Sequence, residues 1–308
     1  MNNPLVSIIS PSYNQAQFIE ETILSIKNQE YRNIEHIIVD AGSNDGTLDI
    51  IKKYENTYNM KWISEKDDGM YDAISKGLKL AKGEILAYLN TDDLYFDWTV
   101  KLVVNKIKNK NYEFVFGDVL TYDNDNKKFI ARIYPKYSKS MILNGNFPCQ
   151  PSVFWTRNLY KMVGDFDKSF TNVGDFDYWI RCAKNTDKIG KICDFIAVDR
   201  LYEGIKRNLE SDVIIKEKQI LFQKHNINNF NRLQILKIYH FFKKIFYRRF
   251  YFFLYKIQKF FKSTKNAYYY SERYFSDKSR FKEKNGSLFK SFFLIGYSKK
   301  WIFEKKVK

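Results

Sequence analysis

The segment Gly83-Glu84-Ile85-Leu86-Ala87-Tyr88-Leu89-Asn90-Thr91-Asp92-Asp93 constrains this chain more than any other. It is an apolar run that ends abruptly in two adjacent carboxylates. Such a run reads as a buried strand of a parallel sheet whose C-terminal end meets solvent. In open α/β sheets that edge is where ligands sit. Two neighbouring acids repel each other, and a divalent metal ion is the simplest cation to relieve that repulsion.

The residues before this segment repeat a strand–helix rhythm. Val6-Ser7-Ile8-Ile9-Ser10 is a β-branched strand that Pro11-Ser12-Tyr13-Asn14 breaks into a loop. Phe18, Ile19, Ile23, Leu24 and Ile26 then recur at helical spacing, with Glu20 and Glu21 in the first turns. A second strand over residues 34–39 ends in Asp40, and Asp45 or Thr47 caps a helix over 48–54. A short strand over 61–64 leads through Glu65-Lys66-Asp67-Asp68-Gly69 into a helix over 70–81. This alternation predicts parallel strands with right-handed crossovers. Their ends, at Ser12, Asp40, Glu65 and Asp92, would then line one crevice. Singly, Asp40, Asp67 and Asp68 read first as helix caps or turn formers, and only as a group as a site.

The second half is less regular. A helix is expected near residues 98–108, a central strand over 114–118, and a hairpin from 119–122 and 128–133. Residues 141–154, with Asn144-Gly145-Asn146, Pro148 and Pro151, read as an active-site loop. A short helix over 159–163 stops at Gly164, and another begins near Gly174, with Asp175 and Asp177 at its positive end. Plain capping is the first reading of those two acids taken alone.

Charge divides the chain. Residues 201–308 carry 26 Lys and Arg against 8 Asp and Glu, whereas the first 200 carry 26 against 27. That asymmetry predicts a near-neutral domain over 1–210 and a basic, aromatic extension over 211–308. Within 233–262 a helical wheel gathers Lys237, Lys244, Arg248, Lys259 and Lys262 in one sector, opposite Ile238, Phe242, Phe246, Phe250 and Phe253. A basic amphipathic helix of this kind suits an anionic membrane surface, and equally a helical subdomain packed on protein. Nucleic acid is not expected as a partner, since no binding motif matches. No run reaches the ~20 apolar residues of a membrane span, and no signal peptide is visible. Cys149, Cys182 and Cys193 lack metal-ligand spacing and read as buried small residues in a reducing compartment. A cytoplasmic protein, peripheral at the inner face of the membrane, is the expectation.

Five stretches occur together in one order: Val6 to Asn14, Val39-Asp40-Ala41-Gly42-Ser43-Asn44-Asp45-Gly46-Thr47, Glu65-Lys66-Asp67-Asp68-Gly69-Met70-Tyr71-Asp72-Ala73, Leu89-Asn90-Thr91-Asp92-Asp93, and Gly174-Asp175-Phe176-Asp177-Tyr178-Trp179-Ile180-Arg181. Through them residues 4–205 resemble a family 2 glycosyltransferase of the bacterial surface-polysaccharide type. The resemblance implies the GT-A fold, a Rossmann-like, mostly parallel sheet flanked by helices. It implies inverting transfer of a sugar from a nucleotide diphosphate donor, a UDP-sugar, to a glycan or lipid-linked acceptor. Mg²⁺ or Mn²⁺ would be the cofactor.

By the same resemblance, Asp93 ligates the metal and Asp92 reaches the ribose or a metal-bound water. Tyr13 lies against the base, and Pro11 and Ser12 shape its loop. Asp40 accepts from the imide N–H, and Asp67 is a further acid of the nucleotide pocket. Lys76 lies near the donor phosphates, although Ser75 stands where the family often has Asn, and a solvated helix lysine is the alternative. Gln150 lines the donor–acceptor site. Asp175 is the general base, with Asp177 in support, and Gly174 replaces a frequent Glu. One departure concerns the loop Arg200-Leu201-Tyr202-Glu203-Gly204. Members often carry His where this chain has Tyr202; if that His helps hold the metal or the diphosphate, Tyr202 does not replace it as a ligand, and donor affinity or metal dependence would be altered.

Other classes fit less well. A sugar-phosphate nucleotidyltransferase needs a Gly-rich, Arg-containing loop that residues 10–17 lack. A Rossmann dehydrogenase needs G-x-G-x-x-G. A non-catalytic nucleotide-sugar or membrane-surface binding protein with a degenerate site remains open.

Overall fold

A computed structural model describes residues 3–125, 128–134, 139–203 and 212–227. The expected helix over 233–262 and the tail beyond it lie outside the described residues.

The first half follows the apolar pattern closely. Strands β1 (Val6–Ser12), β2 (Ile34–Asp40), β3 (Met60–Ser64) and β4 (Ile85–Tyr88) are joined by α1 (Ile19–Lys27), α2 (Thr47–Tyr54) and α3 (Met70–Leu80). β1 pairs in parallel with both β2 and β4, and β3 pairs in parallel with β2. Alternate strand residues serve opposite faces of the sheet. Ile9, Ile37, Val39, Leu86 and Tyr88 pack toward Ile74 and Leu78 of α3. Ile38 instead meets Ile19, Ile23 and Ile51, from α1 and α2. α3 lies close on β1, because a Cβ on its Gly77 would stand 2.5 Å from the Ile9 side chain.

β1 runs two residues beyond the predicted break and includes Pro11 and Ser12. β4 pairs with β1 only as far as Ile9, whereas β2 pairs with it through Ser12. Pro11 therefore sits where one side of the strand has no ladder to break.

The second half contains β5 (Leu94–Tyr95), α4 (Thr99–Lys110), β6 (Phe114–Asp123), β7 (Lys128–Arg132), α5 (Lys139–Leu143), a single 3₁₀ turn at Gln150–Ser152, β8 (Phe154–Thr156), α6 (Arg157–Val163), α7 (Gly174–Asn185), β9 (Ile189–Leu201) and α8 (Asp212–Lys224). The sheet order is β3-β2-β1-β4-β8-β6-β9-β5, with β7 added on β6. β8 is antiparallel to both β4 and β6, so the sheet is mixed. The central strand and the first arm of the hairpin are one continuous strand, β6. Three expectations change here. The loop over 141–154 holds the end of α5, the 3₁₀ turn and the start of β8. Arg200 and Leu201 belong to β9 rather than to a loop. Cys149 and Cys182 are buried but Cys193, in β9, is exposed.

α8 lies beyond the predicted boundary at 210 and is tied to α7. Glu217 accepts from the backbone N–H groups of Thr171 (2.9 Å), Asn172 (2.9 Å) and Val173 (3.2 Å). Val173 is the N-cap residue of α7 and offers no side-chain cap, and Glu217 fixes the backbone that leads into it.

The first sheet layer holds a buried titratable group. His36 on β2 is 1% exposed, with Nδ1 2.6 Å from the Tyr58 hydroxyl and Nε2 3.0 Å from Ser10 Oγ. Burial pushes its pKa down to about 3. The unfolded chain therefore takes up a proton near pH 6.5 that the folded chain refuses until about pH 3. Stability present above pH 6.5 is lost as the pH falls through that window, at up to about 1.4 kcal/mol per pH unit. Urea unfolding at pH 7.5 and pH 5 should show a loss of about 2 kcal/mol from this group. His36→Gln should lose correspondingly less, and an equal loss in both proteins would contradict the assignment.

Candidate active site

Three loops leave the C-terminal ends of β1, β2 and β3, and Asp40 binds two of them together. This carboxylate is fully buried. Its Oδ2 accepts from Gly42 N (2.9 Å), Ser43 N (2.8 Å) and Ser64 Oγ (2.8 Å), and its Oδ1 from Ser43 Oγ (2.5 Å). The loop after β1 is laced to the loop after β2 in turn. Asn14 N donates to Ser43 Oγ, Gln15 N to Thr47 Oγ1, and Ala16 N to Asp45 Oδ2, all within 3.0 Å. Asn14 takes a left-handed φ of 51°, which an Asn tolerates well, and Tyr13 beside it is 57% exposed. Tyr13 thus stands out of a firmly held loop.

Asp67 accepts from Gly69 N at 2.9 Å. Burial pushes its carboxyl above the ordinary range, with Asp72 and Asp68 adding to the rise and Gly69 N–H and Lys76 opposing it. Lys76 is held by Glu65 (2.7 Å), by Asp72 (3.5 Å) and by the Lys66 carbonyl (3.2 Å). Asp72 is bridged a second time by Lys168.

The acidic pair after β4 is clasped by the end of β9. Arg200 is 1% exposed. Its backbone N–H donates to Asp93 Oδ1 at 3.0 Å and its Nε to the Asp92 carbonyl at 2.9 Å. Its Nη2 pairs with Glu21 of α1 at 2.7 Å, and its guanidinium lies 4.6 Å from the centre of the Phe18 ring. The Tyr202 hydroxyl donates to Asp92 Oδ2 at 3.0 Å, and its ring packs on the other partner, Phe18, at 4.7 Å. Burial pushes the Asp92 carboxyl up, while the Tyr202 hydrogen bond and Arg200 pull it back. Sequence reasoning missed Arg200, Glu21 and Phe18 as members of this group. The signal available was the apolar run Phe195-Ile196-Ala197-Val198, which marks the strand that brings Arg200 here.

Gln150 reaches the same strand end, with Nε2 donating to the Tyr88 carbonyl at 2.7 Å. Ser12 Oγ, Asn90 Oδ1 and Gln150 Oε1 are buried and find no partner among the described residues. All three belong to the ends of β1 and β4 or to the turn bonded to Tyr88. A polar ligand at this sheet edge would satisfy all three, although buried atoms such as Trp155 Nε1 and Trp179 Nε1 are also without a partner away from it.

Asp175 sits in the first turn of α7. Its Oδ1 accepts from Phe176 N at 2.9 Å and faces the Tyr71 hydroxyl at 3.5 Å, while its own N–H donates to that hydroxyl at 3.2 Å. Tyr88, 1% exposed at the end of β4, registers both halves of the site. Burial pushes its phenol well above the ordinary range, and the Asp175 and Asp93 carboxylates push in the same direction. Asp177 is fully buried and accepts from Arg181 Nε (2.7 Å), Lys224 Nζ (2.8 Å) and His225 Nε2 (2.8 Å). Burial alone would raise its carboxyl, and these three cations and donors outweigh it. Asp177 therefore holds α7 rather than entering the crevice. Among the described residues, no three His, Cys, Asp or Glu side chains converge as a ready metal cage.

Comparison with known proteins follows the same outline. Two solved structures share the fold. TarS 1–349 of S. aureus, in complex with UDP-GlcNAc, superposes with a TM-score of 0.60 at 19% identity, over 73% of this chain and 67% of that one. The mannosyltransferase PcManGT from Pyrobaculum calidifontis, in complex with GDP-Man and Mn²⁺, gives 0.52 at 20%, over 66% and 59%. The architecture is thus that of a GT-A-type glycosyltransferase.

The sequence profile of Glycosyl transferase family 2 matches residues 7–162, half of the chain, and the chain belongs to that family. An uncharacterized glycosyltransferase of Rickettsia typhi is 31% identical over 188 residues, which are 58% of this chain and 58% of that protein. A PGL/p-HBAD biosynthesis glycosyltransferase of Mycobacterium tuberculosis is 30% identical over 189 residues, 60% of this chain and 72% of that one. The chain therefore spans less than two thirds of the rickettsial relative's length.

Proposed function

We propose that this chain is an inverting glycosyltransferase that moves a sugar from a UDP-sugar to a hydroxyl of a glycan or lipid-linked acceptor. The observation that carries this reading is the run of contacts from the strand that bears the acidic pair to Asp175. The Tyr88 ring at the end of β4 meets Phe166 at 5.5 Å, Phe166 stacks on Tyr71 at 5.7 Å, and the Tyr71 hydroxyl lies 3.5 Å from Asp175 Oδ1. A donor-side acid and a base at one strand end is what a single displacement needs.

In this reading Tyr13, exposed on its fixed loop, lies against the base, with Pro11 and Ser12 shaping the pocket. Asp40 acts on the base indirectly, because its oxygens already take four donors from the surrounding loops. Asp67 borders the nucleotide. Lys76 reaches the phosphates only by leaving Glu65. Gln150 offers its Oε1 to donor or acceptor. The donor set suits a hard divalent ion. Mg²⁺ is usually held by one or two carboxylates plus substrate phosphates, so Asp93, aided by Asp92, fits without a three-acid cage. A bound Mg²⁺ or Mn²⁺ would neutralise charge developing on the departing diphosphate. Asp175 takes the proton of the acceptor hydroxyl as its oxygen bonds to the anomeric carbon and the bond to the diphosphate breaks. The UDP-GlcNAc in the TarS structure supports a uridine donor, and GDP-Man with Mn²⁺ in PcManGT supports the metal and keeps a guanosine donor in play.

The basic extension would hold the enzyme at the cytoplasmic face of an anionic membrane. This rests on the charge of residues 201–308. No helix among the described residues is long and apolar enough to cross a bilayer. Since α8 is tied to α7, we set the start of the attachment module after α8. Co-sedimentation with phosphatidylserine vesicles at low salt should capture the full chain, and release it at ~0.5 M salt as screening sets in. A protein that stays in the supernatant at low salt would end the membrane part of the proposal.

A screen of nucleotide sugars for metal-dependent release of the nucleoside diphosphate should identify the donor. With that donor, Asp175→Asn should lower turnover ~10²-fold or more while donor binding survives. Unchanged turnover would contradict the assignment of Asp175 as the base.

A further inference from the structure

We infer that Tyr71 is a positioning residue for Asp175, fixing one oxygen of the base and holding its proton affinity low. The inference rests on the reading of Asp175 as the base.

Tyr71 is the second residue of α3, in the first turn after the acidic loop that ends at Gly69, and is 3% exposed. Its ring stacks on Phe166 at 5.7 Å with an 8° interplanar angle, and Phe166 stacks on Tyr178 of α7 at 4.0 Å. The stack runs from α3 to α7 and leaves the phenol little freedom. The hydroxyl ends at the first turn of α7, where it accepts the Asp175 N–H at 3.2 Å. Its proton faces Asp175 Oδ1 at 3.5 Å. Phe176 N–H reaches the same oxygen at 2.9 Å, so two donors converge on Oδ1. The O–H contact is long here, as catalytic hydrogen bonds often are before substrate arrives.

Two further features fit this role. Gly174 is the residue that lets the ring in. A Cβ there would stand 2.6 Å from Tyr71 Cε2 and within 2.8 Å of two other ring atoms. The Gly174-Asp175 sequence, where the family often has Glu-Asp, is thus matched to an aromatic ring lying across the helix start. The phenol also cannot compete for the proton. Burial holds it well above its ordinary range, and the Asp175 charge raises it further. Tyr71 can donate a hydrogen bond to the carboxylate without giving up its proton. Hydrogen bonding to the charged form favours that form. The role is therefore to keep Asp175 ionised and oriented, ready to receive the acceptor's proton.

Tyr71→Phe tests this, because it keeps the stacked ring and removes only the hydroxyl. With the donor found by screening, kcat/KM should be followed from pH 5 to pH 9. The acid limb, which reports ionisation of the base, should move up by about half to one pH unit in Tyr71→Phe. The turnover loss should then be severalfold at pH 6 and smaller at pH 8, with donor KM little changed. A merely structural role would lower activity equally at all pH values and leave the limb in place, and that result would overturn the inference. Asp175→Asn separates the two failures. If it does not lower turnover, the base reading falls. If it does, and the Tyr71→Phe limb still does not move, only the positioning role falls.

Discussion

A single guanidinium buried beneath two carboxylates holds the candidate donor site in shape. Asp92 and Asp93 are adjacent and sunk into the sheet edge, an arrangement that costs free energy unless charge and hydrogen bonds compensate it. The pairing of β5 with β9 supplies both. Leu94 pairs with Val198 and Tyr95 with Ala197 in antiparallel register, and continuing that register brings Arg200 opposite Asp92. From there its backbone serves Asp93, its side chain serves the Asp92 carbonyl, and its charge pairs with Glu21. The acidic pair is therefore fixed in place by hydrogen bonds, while Asp92, Asp93, Glu21 and Arg200 together keep a net negative charge for a cation to meet. Tyr202 adds a hydrogen bond to Asp92 where the family often has His. In our reading it trades a metal ligand for a fixed orientation of that carboxylate.

The opposite wall depends on a helix that does not cap itself. Its N-cap, Val173, has no polar side chain to satisfy the first N–H groups of α7. Tyr71 from α3 accepts the Asp175 N–H, and Glu217 from α8 holds the Val173 N–H just before the helix. Asp177, one turn in, is locked by Arg181, Lys224 and His225. Lys184 has only protons to offer to His225 Nδ1, so Nε2 carries the hydrogen that points to Asp177. Asp175 thus stands between two fixed points supplied by an element that follows the region matching the family profile.

The parallel half was readable because its strands are apolar on both faces and its helices amphipathic. Ile8 and Ile9, or Ile37 and Ile38, declare burial on two sides. β9 was harder to see. Lys191, Asp194 and Asp199 interrupt its apolar run, yet Asp194 and Asp199 are buried and the Lys191–Asp118 pair neutralises a charge within the sheet. The run Phe195-Ile196-Ala197-Val198 marks the middle of the strand, but its ends carry charges that are paired across β6 and leave no local pattern. The acid-rich strand ends were legible as a group, but their division of labour was not. Asp40 proves to be saturated by loop hydrogen bonds and Lys76 to be held in ion pairs. Only part of this is local: Ser64 lies 24 residues from Asp40 and the Lys66 carbonyl 10 residues from Lys76. The roles of Arg200 and Tyr71 are long-range in the same way, spanning 107 and 104 residues to Asp93 and Asp175.

The most direct measurement is calorimetric titration of UDP into the full chain with Mn²⁺, beside the same titration of Asp93→Asn. The substitution keeps an acceptor for the Arg200 N–H and removes the charge. The account predicts Mn²⁺-dependent UDP binding to the natural chain, and at least a tenfold weaker Kd in the variant at an unchanged melting temperature. Equal affinity in both proteins, or binding indifferent to Mn²⁺, would contradict the assignment of the acidic pair as the donor and metal site.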